Sequence, residues 1–249
     1  MVSRAIINVA TGPYVPRQQK LRQSIERIGF RGDLLFWADE LPPECPPHSE
    51  SPYAFKPYAF YGALKRGYDQ VLWLDAACRV VRDMAPLWAR MERDRVWFVG
   101  DGWNVGQWST DLCLRYFLLS RDDAAELRMI YACAMGLDFS SRDGEPDWDT
   151  LTEHLLTSWF YAADAGLFAG PWVFPADAPE YGPANALMPE HMKGRAGHRH
   201  DQTCMSILLD QYGLPMNANE QFTMHGAGTP GGQWAANASD QAIIVQGAP

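Results

Sequence analysis

The chain opens on a short apolar run, Ala5-Ile-Ile-Asn-Val-Ala10, closed by Thr11-Gly12-Pro13 and followed by Leu21, Ile25 and Ile28 at helical spacing up to Gly29. A run of this length bounded by turn residues, then a 3.6-residue period, predicts a buried strand, a turn and a helix. Asp33-Leu-Leu-Phe-Trp37 repeats the strand signal. Pro57 to Arg66, with Phe60, Ala63 and Leu64 on one face and Gly67 beyond, predicts a second helix. Gln70-Val-Leu-Trp-Leu-Asp75 and Val96-Trp-Phe-Val99 add a third and a fourth strand. Strands alternating with helices imply right-handed βαβ units, so the expected fold class is α/β with a mostly parallel central sheet flanked by helices.

The second half is less regular. Ser120 opens a predicted helix with Leu127, Ile130, Tyr131 and Ala134 inward, and Thr150-Leu-Thr-Glu153 is a capping box for a helix presenting Leu155, Leu156, Trp159 and Phe160. Between Gly170 and Gly197 Pro and Gly recur without periodicity, the pattern of a lid or binding loop. Asp201 is expected to cap a last helix that turns Met205, Leu208 and Leu209 inward and stops at Gly213-Leu-Pro215. The Gly-rich stretch 226–232 predicts a loosely held end.

Composition narrows the function classes. With 21 Lys+Arg against 30 Asp+Glu the formal charge is −9, which opposes general binding to nucleic acid or anionic lipid while leaving room for a local basic patch. Five cysteines, Cys45, Cys78, Cys113, Cys133 and Cys204, include no CxxC pair and predict reduced thiols of a cytoplasmic protein. The apolar run near the start is too short to span a membrane or to act as a signal segment.

In an open α/β sheet, ligands sit beyond the carboxyl ends of the strands, so the polar residues there are the candidates. Thr11-Gly12 with Tyr14 follows strand one; it reads either as a plain β-to-α turn or as a place where small residues and a helix N-terminus admit an anion. Asp75 ends an apolar strand, where a carboxylate needs a partner: a divalent cation, a ligand hydroxyl or the N–H groups of the next turn. Gly197-His-Arg-His-Asp-Gln202 leads into the last helix with His198, Arg199 and His200, behind His191, Lys193 and Arg195. Such a cationic loop suits a phosphate, and alone it also reads as a solvated charge run. Met224-His225-Gly226-Ala-Gly228 sets a histidine before a Gly-rich turn, and Lys56 precedes Pro57 as a further phosphate contact or a surface lysine.

Together these segments resemble nucleotide-sugar-dependent glycosyltransferases of the GT-A fold, particularly small family 8-like bacterial and phage enzymes. The similarity runs through Thr11-Gly12, Lys56-Pro57 ahead of Gly67 to Asp75, Val80-Val-Arg-Asp-Met-Ala-Pro-Leu-Trp88, His198 to Gln202 and His225 to Gly228, in the family's order. The resemblance implies one GT-A (Rossmann-like) domain over 1–249: a nucleotide-sugar-binding half at 1–105, an irregular acceptor half at 106–230 and a tail at 231–249. It implies that Asp75 is the first Asp of the DxD motif that binds Mn²⁺ or Mg²⁺ and the diphosphate. The motif's second Asp falls on Ala77, a departure at a metal ligand. The resemblance further makes Asp201-Gln202 the catalytic pair that grips the donor sugar, and His225, with Gly226, the C-terminal part of the metal and diphosphate site. Thr11, Gly12, Tyr14, Lys56, Arg199 and His200 complete the donor site.

The implied reaction moves a sugar, UDP-hexose being the first donor, to a hydroxyl of a glycan or small molecule, with a hydroxymethylated DNA base as second acceptor. Departure of the diphosphate develops negative charge that a metal or cations such as Lys56, Arg199 and His225 would offset. Trp103, Trp108, Trp148, Trp159 and Trp172 offer aromatic faces to an acceptor or fill the core. Two rivals stand beside this reading. Ala77 also suits a non-catalytic nucleotide-sugar or glycan-binding protein, and His198, His200 and Asp201 with His225 also suit the metal cluster of a phosphoesterase.

Overall fold

A computed structural model describes residues 2–141, 150–170, 197–217, 222–224 and 242–246. In chain order the elements are β1 (Arg4–Ala10), α1 (Val15–Arg27), β2 (Asp33–Ala38), α2 (Phe55–Leu64), β3 (Gln70–Leu74), β4 (Cys78–Val80), α3 (Ala85–Asp94), β5 (Val96–Asn104), α4 (Asp111–Tyr116), α5 (Arg121–Glu126), β6 (Arg128–Asp138), α6 (Leu151–Asp164), α7 (Asp201–Gln211), β7 (Phe222–Met224) and β8 (Ile244–Gln246). A five-stranded sheet has the order β2-β1-β3-β6-β5, and a smaller one the order β4-β8-β7. β1 pairs in parallel with β2 and β3, whereas β6 is antiparallel to both β3 and β5. Four strands of the large sheet therefore run one way and β6 alone runs back.

Alternation along the strands sends side chains to two cores. Ile7, Val9, Val71 and Trp73 face α2, α6 and α7 through Phe60, Trp159, Met205 and Leu208. Ile6, Leu72 and Leu74 face α1 and α3 through Leu21, Ile25, Leu87, Trp88 and Met91. Burying both faces removes the polar half of the strand pattern, which is why β1 and β3 read as continuous apolar runs. The same effect defeats the expected helix through Leu127, Ile130, Tyr131 and Ala134. That helix is the short α5, capped by Ser120 and finished at Glu126, and the residues from Arg128 onward form β6. β6 is apolar on both faces because it lies inside the sheet, so a helical spacing appears in it by accident.

One further expectation changes. Asp201 is the first residue of α7 and His200 is its N-cap; the Asp201 side chain is drawn to Lys56 and caps nothing. Near the end of the chain Ile244–Gln246 is paired, β8 lying between β4 and β7 with Ile244 buried, while the Gly-rich stretch 226–232 lies outside the described residues. The predicted capping box is present: the Thr150 hydroxyl accepts from Glu153 N, and the Glu153 carboxylate accepts from Thr150 N.

A close approach of backbones sets the turn that follows β5. Val105–Gln107 is a single 3-10 turn closed by Asn104, and a Cβ on Gly106 would meet Ala125 N at 2.8 Å and Arg121 O at 2.9 Å. Both atoms are backbone and cannot yield without moving α5. Gly106→Ala is expected to cost about 1–3 kcal/mol, read as a lower urea midpoint at unchanged slope.

Candidate functional site

The site sits at the carboxyl edge of the large sheet, and a buried polar network ties that edge together. Asn8, the one polar residue of β1's apolar run, donates to Leu74 O at 2.5 Å and accepts from Gln18 Nε2 at 2.8 Å. Gln18, on α1, also donates to Trp37 O at 2.8 Å. The ends of β1, β2 and β3 are thereby held to one helix, and each buried amide has its partners.

Asp75 follows β3 and keeps the ladder going, its N–H donating to Cys133 O at 2.8 Å; the chain then turns, with Cys78 N donating to Asp75 O. Its carboxylate accepts from the Trp73 indole N–H at 2.7 Å. Burial pushes the Asp75 carboxyl above its ordinary range, while the Lys56 charge and the indole N–H pull it down. Lys56 is far from a surface lysine. It is 3% exposed, and its ammonium donates to Asp201 Oδ2 at 2.8 Å and to Ala132 O at 2.9 Å. The rings of Tyr53 and Trp73 lie 5.3 and 5.5 Å from it. Burial alone would lower the pKa of this lysine, but the negative charges of Asp201 and Asp75 outweigh it and hold the pKa above the ordinary value. The ammonium is thus a fixed cation between two acids rather than a free phosphate contact. Lys56 reaches this place because α2 begins at Phe55, two residues earlier than the Pro57 expected, so that Pro57 occupies the first turn, where its missing N–H costs nothing.

The segment before α7 is also buried. His198 Nε2 bonds Leu167 O and His200 Nδ1 bonds Phe168 O, each at 2.7 Å. Burial lowers both imidazoles, His198 to about 4, which favours the neutral ring, and each ring holds a backbone carbonyl. The His200 ring packs 5.3 Å from Tyr53, and its backbone has φ +51°, an uncommon conformation for a side-chain-bearing residue. Arg199 lays its guanidinium 4.0 Å from the Trp108 ring centroid and 5.6 Å from that of Trp103. Gln202 follows Asp201 in the first turn of α7, and Trp159 Nε1 donates to Asp201 O at 3.2 Å. Trp108 and Trp159 are core residues, while Trp103 is partly buried. Trp148 and Trp172, with His191, Lys193 and Arg195, lie outside the described residues.

Thr11 and Gly12 begin a single 3-10 turn, Gly12 with φ +53° and its N–H donating to Asp39 Oδ1 at 2.7 Å. Tyr14 is half exposed at its end. The structure therefore brings Asp75, Lys56, Asp201, Gln202 and His200 together, with the Thr11 turn on the neighbouring strand end. His225 and Gly226 lie outside the described residues. Sequence reasoning missed Tyr53, Trp73 and Asp39. Trp73 was legible only as core, and neither Tyr53 nor Asp39 sits in a pattern that marks it.

A divalent cation needs several oxygen ligands. Of the described residues here, Asp75 offers one carboxylate already bonded to Trp73, Asp201 is paired with Lys56, and position 77 is alanine. Among the described residues no group of three His, Cys, Asp or Glu could hold a metal. The described part of this donor set does not by itself fit Mn²⁺ or Mg²⁺, and His225, the other expected ligand, lies outside the described residues. Nor do His198, His200 and Asp201 form among the described residues the cluster a phosphoesterase reading requires, since one ring nitrogen of each histidine serves a backbone carbonyl and the carboxylate serves Lys56; His225 lies outside the described residues.

No protein-family profile matches the chain, and no curated protein is significantly similar to it in sequence. Solved structures are similar in fold. The bifunctional glycosyltransferase WbbM superposes with a TM-score of 0.52 at 11% identity, over 100% of this chain and 46% of that one. The chain thus spans just under half of WbbM. Mouse xyloside xylosyltransferase 1 superposes with a TM-score of 0.50 at 10% identity, over 99% of this chain and 98% of that one. No helix of the described residues is long and apolar enough to cross a membrane. A sheet of four like-directed strands and one reversed strand, with helices on both faces and acids at its carboxyl edge, is here the α/β fold of GT-A-type glycosyltransferases.

Proposed function

We propose that the protein is a glycosyltransferase that moves a sugar from a nucleotide-diphosphate donor to a hydroxyl acceptor. One observation carries this reading: Asp75 and Asp201, 126 positions apart by their numbers, meet around the buried Lys56 at the carboxyl edge of a glycosyltransferase fold. Lys56 fixes the direction of the Asp201 carboxylate and the Trp73 indole that of Asp75 before any ligand arrives, which is the preorganisation that transfer chemistry needs. Asp201 Oδ2 is committed to Lys56, which leaves Oδ1 to accept a hydroxyl of the donor sugar. Asp75 accepts a ribose or sugar hydroxyl. Gln202 lies next in the same helical turn. Thr11, Gly12 and Tyr14 take the nucleotide side, and the resemblance assigns His225 and Gly226 to the diphosphate. Arg199 and His200 shape the wall between the sugar and the aromatic surface of Trp103. When the bond from anomeric carbon to diphosphate oxygen breaks, the electron pair leaves with the diphosphate, the acceptor hydroxyl supplies the new oxygen, and its proton passes to the released diphosphate.

A hexose on UDP is the first donor. The acceptor is a glycan or small molecule ahead of a hydroxymethylated DNA base, because the net charge of −9 opposes a duplex. The cytoplasm is the proposed compartment, from the cysteine pattern.

Incubation with UDP-, GDP- and CDP-sugars, followed by nucleotide release and sugar transfer to simple glycosides, tests the reading. Asp75→Ala is expected to lower turnover by about tenfold to a hundredfold. Nucleotide binding without release or transfer would instead favour the non-catalytic binding protein that Ala77 suggests. No response to any donor would reject both readings.

A further inference from the structure

Arg79 lies on β4, two residues beyond Ala77 and immediately after the turn that begins at Asp75. It is 8% exposed. Its Nη1 donates to three carbonyls, Cys78 O at 2.6 Å, Ala76 O at 3.1 Å and Arg17 O at 3.4 Å, which fix the guanidinium between the first turn of α1 and the end of β3. Its Nη2 is buried and has no hydrogen-bond partner among the described residues. No described carboxylate pairs with this cation. Beside it lies a second cation, Arg17, whose own guanidinium stands 5.6 Å from the Tyr14 ring.

An arginine buried without a counter-charge is costly, and its cost is recovered only when an anion supplies one. The position narrows the anion. Arg79 sits between the turns after β1 and β3, at the sheet edge where an α/β fold receives its ligand, and beside the place where the described donor set cannot satisfy a divalent cation. We infer that Arg79, supported by Arg17, receives the diphosphate of the donor through Nη2 and provides the positive charge that a metal would otherwise bring. This inference rests on the nucleotide-sugar reading above and adds to it that donor binding needs no divalent ion.

The physical case is preorganisation. Three carbonyls already hold the guanidinium, so it does not lose side-chain freedom when the ligand arrives. An arginine nitrogen bonding a phosphate oxygen is a charge-assisted contact, about twice as strong as a neutral one. Lys56 is unavailable for this task, because Asp201 and Ala132 O occupy it.

The test is titration calorimetry of the full chain in excess EDTA, with UDP, GDP, CDP and inorganic pyrophosphate as probes, repeated with Mn²⁺ or Mg²⁺. The expected result is binding of at least one nucleotide in EDTA, little changed by the metals. Arg79→Gln is expected to weaken it by about tenfold to a hundredfold. Arg79→Lys, which keeps the charge but not the second nitrogen, is expected to weaken it several-fold. Each variant is also judged by the rise in its own thermal midpoint on adding ligand, so that a lower starting stability does not mimic lost binding. Binding that appears only with Mn²⁺ or Mg²⁺, or unaltered affinity in either folded variant, overturns the role of Arg79 and leaves the transferase reading standing. No binding of any probe with or without metal overturns both.

Discussion

Lys56→Met is expected to lower the unfolding free energy by about 3–5 kcal/mol, because it leaves the Asp201 carboxylate, 3% exposed, without its partner in the core. The methionine fills much of the space of the lysine stem, so lost packing contributes little, and the penalty is that of an unpaired buried charge. Adding Asp201→Asn in the same chain should restore most of the stability, since a buried pair replaced by neutral groups is close to neutral overall. Activity should not return, because the carboxylate proposed to hold the sugar is then gone. Urea unfolding of the wild type, the two single variants and the double variant gives the coupling directly. Additive losses would show that the pair is not the reason Lys56 is buried. The raised pKa of Lys56 means that its contribution is fully present below the ordinary lysine value and is lost only as the pH rises through the folded-state value. The pair is therefore intact across the neutral range.

Acid is expected to unfold the protein through His198. Burial lowers its pKa from 6.5 to about 4, so below pH 6.5 the unfolded chain takes up a proton that the folded chain refuses. Stability then falls as the pH drops from 6.5 towards 4, by about 3 kcal/mol in all for this one ring. His200, also lowered by burial, acts in the same direction. The measurement is the unfolding free energy at several pH values between 7.5 and 4.5 in the wild type and in His198→Gln, whose amide can still donate to Leu167 O. The variant should begin less stable and show a shallower slope. An equal slope in both proteins would mean that the ring is protonated in the fold. The consequence reaches the site, because His198 and His200 hold the strand of chain that delivers Asp201.

Much of this architecture is legible in local patterns. β1, β2 and β3, the capping box at Thr150, the stop at Gly213 and the placing of Asp75 at a strand end all follow from periodicity and turn chemistry, which depend on residues a few positions apart. Asn8 is also visible as a polar residue in an apolar run, although its reason, a bond to Leu74 O and another from Gln18, is not.

The tertiary structure decided the rest. β6 runs antiparallel between β3 and β5, and its two buried faces erase the alternation that would have marked it as a strand. Asp201 serves Lys56 rather than the helix end beside it, across 145 positions of sequence. Arg79 loses access to any described carboxylate because β4 packs along α1 rather than into solvent. The amino-acid sequence by itself determined β1, β2 and β3, the helices between them, the capped helix at Thr150 and the place of Asp75 at the sheet edge. Which charges meet there depended on contacts between distant segments, because burial and pairing are set by what the folded chain brings together and leave no trace at helical or strand spacing.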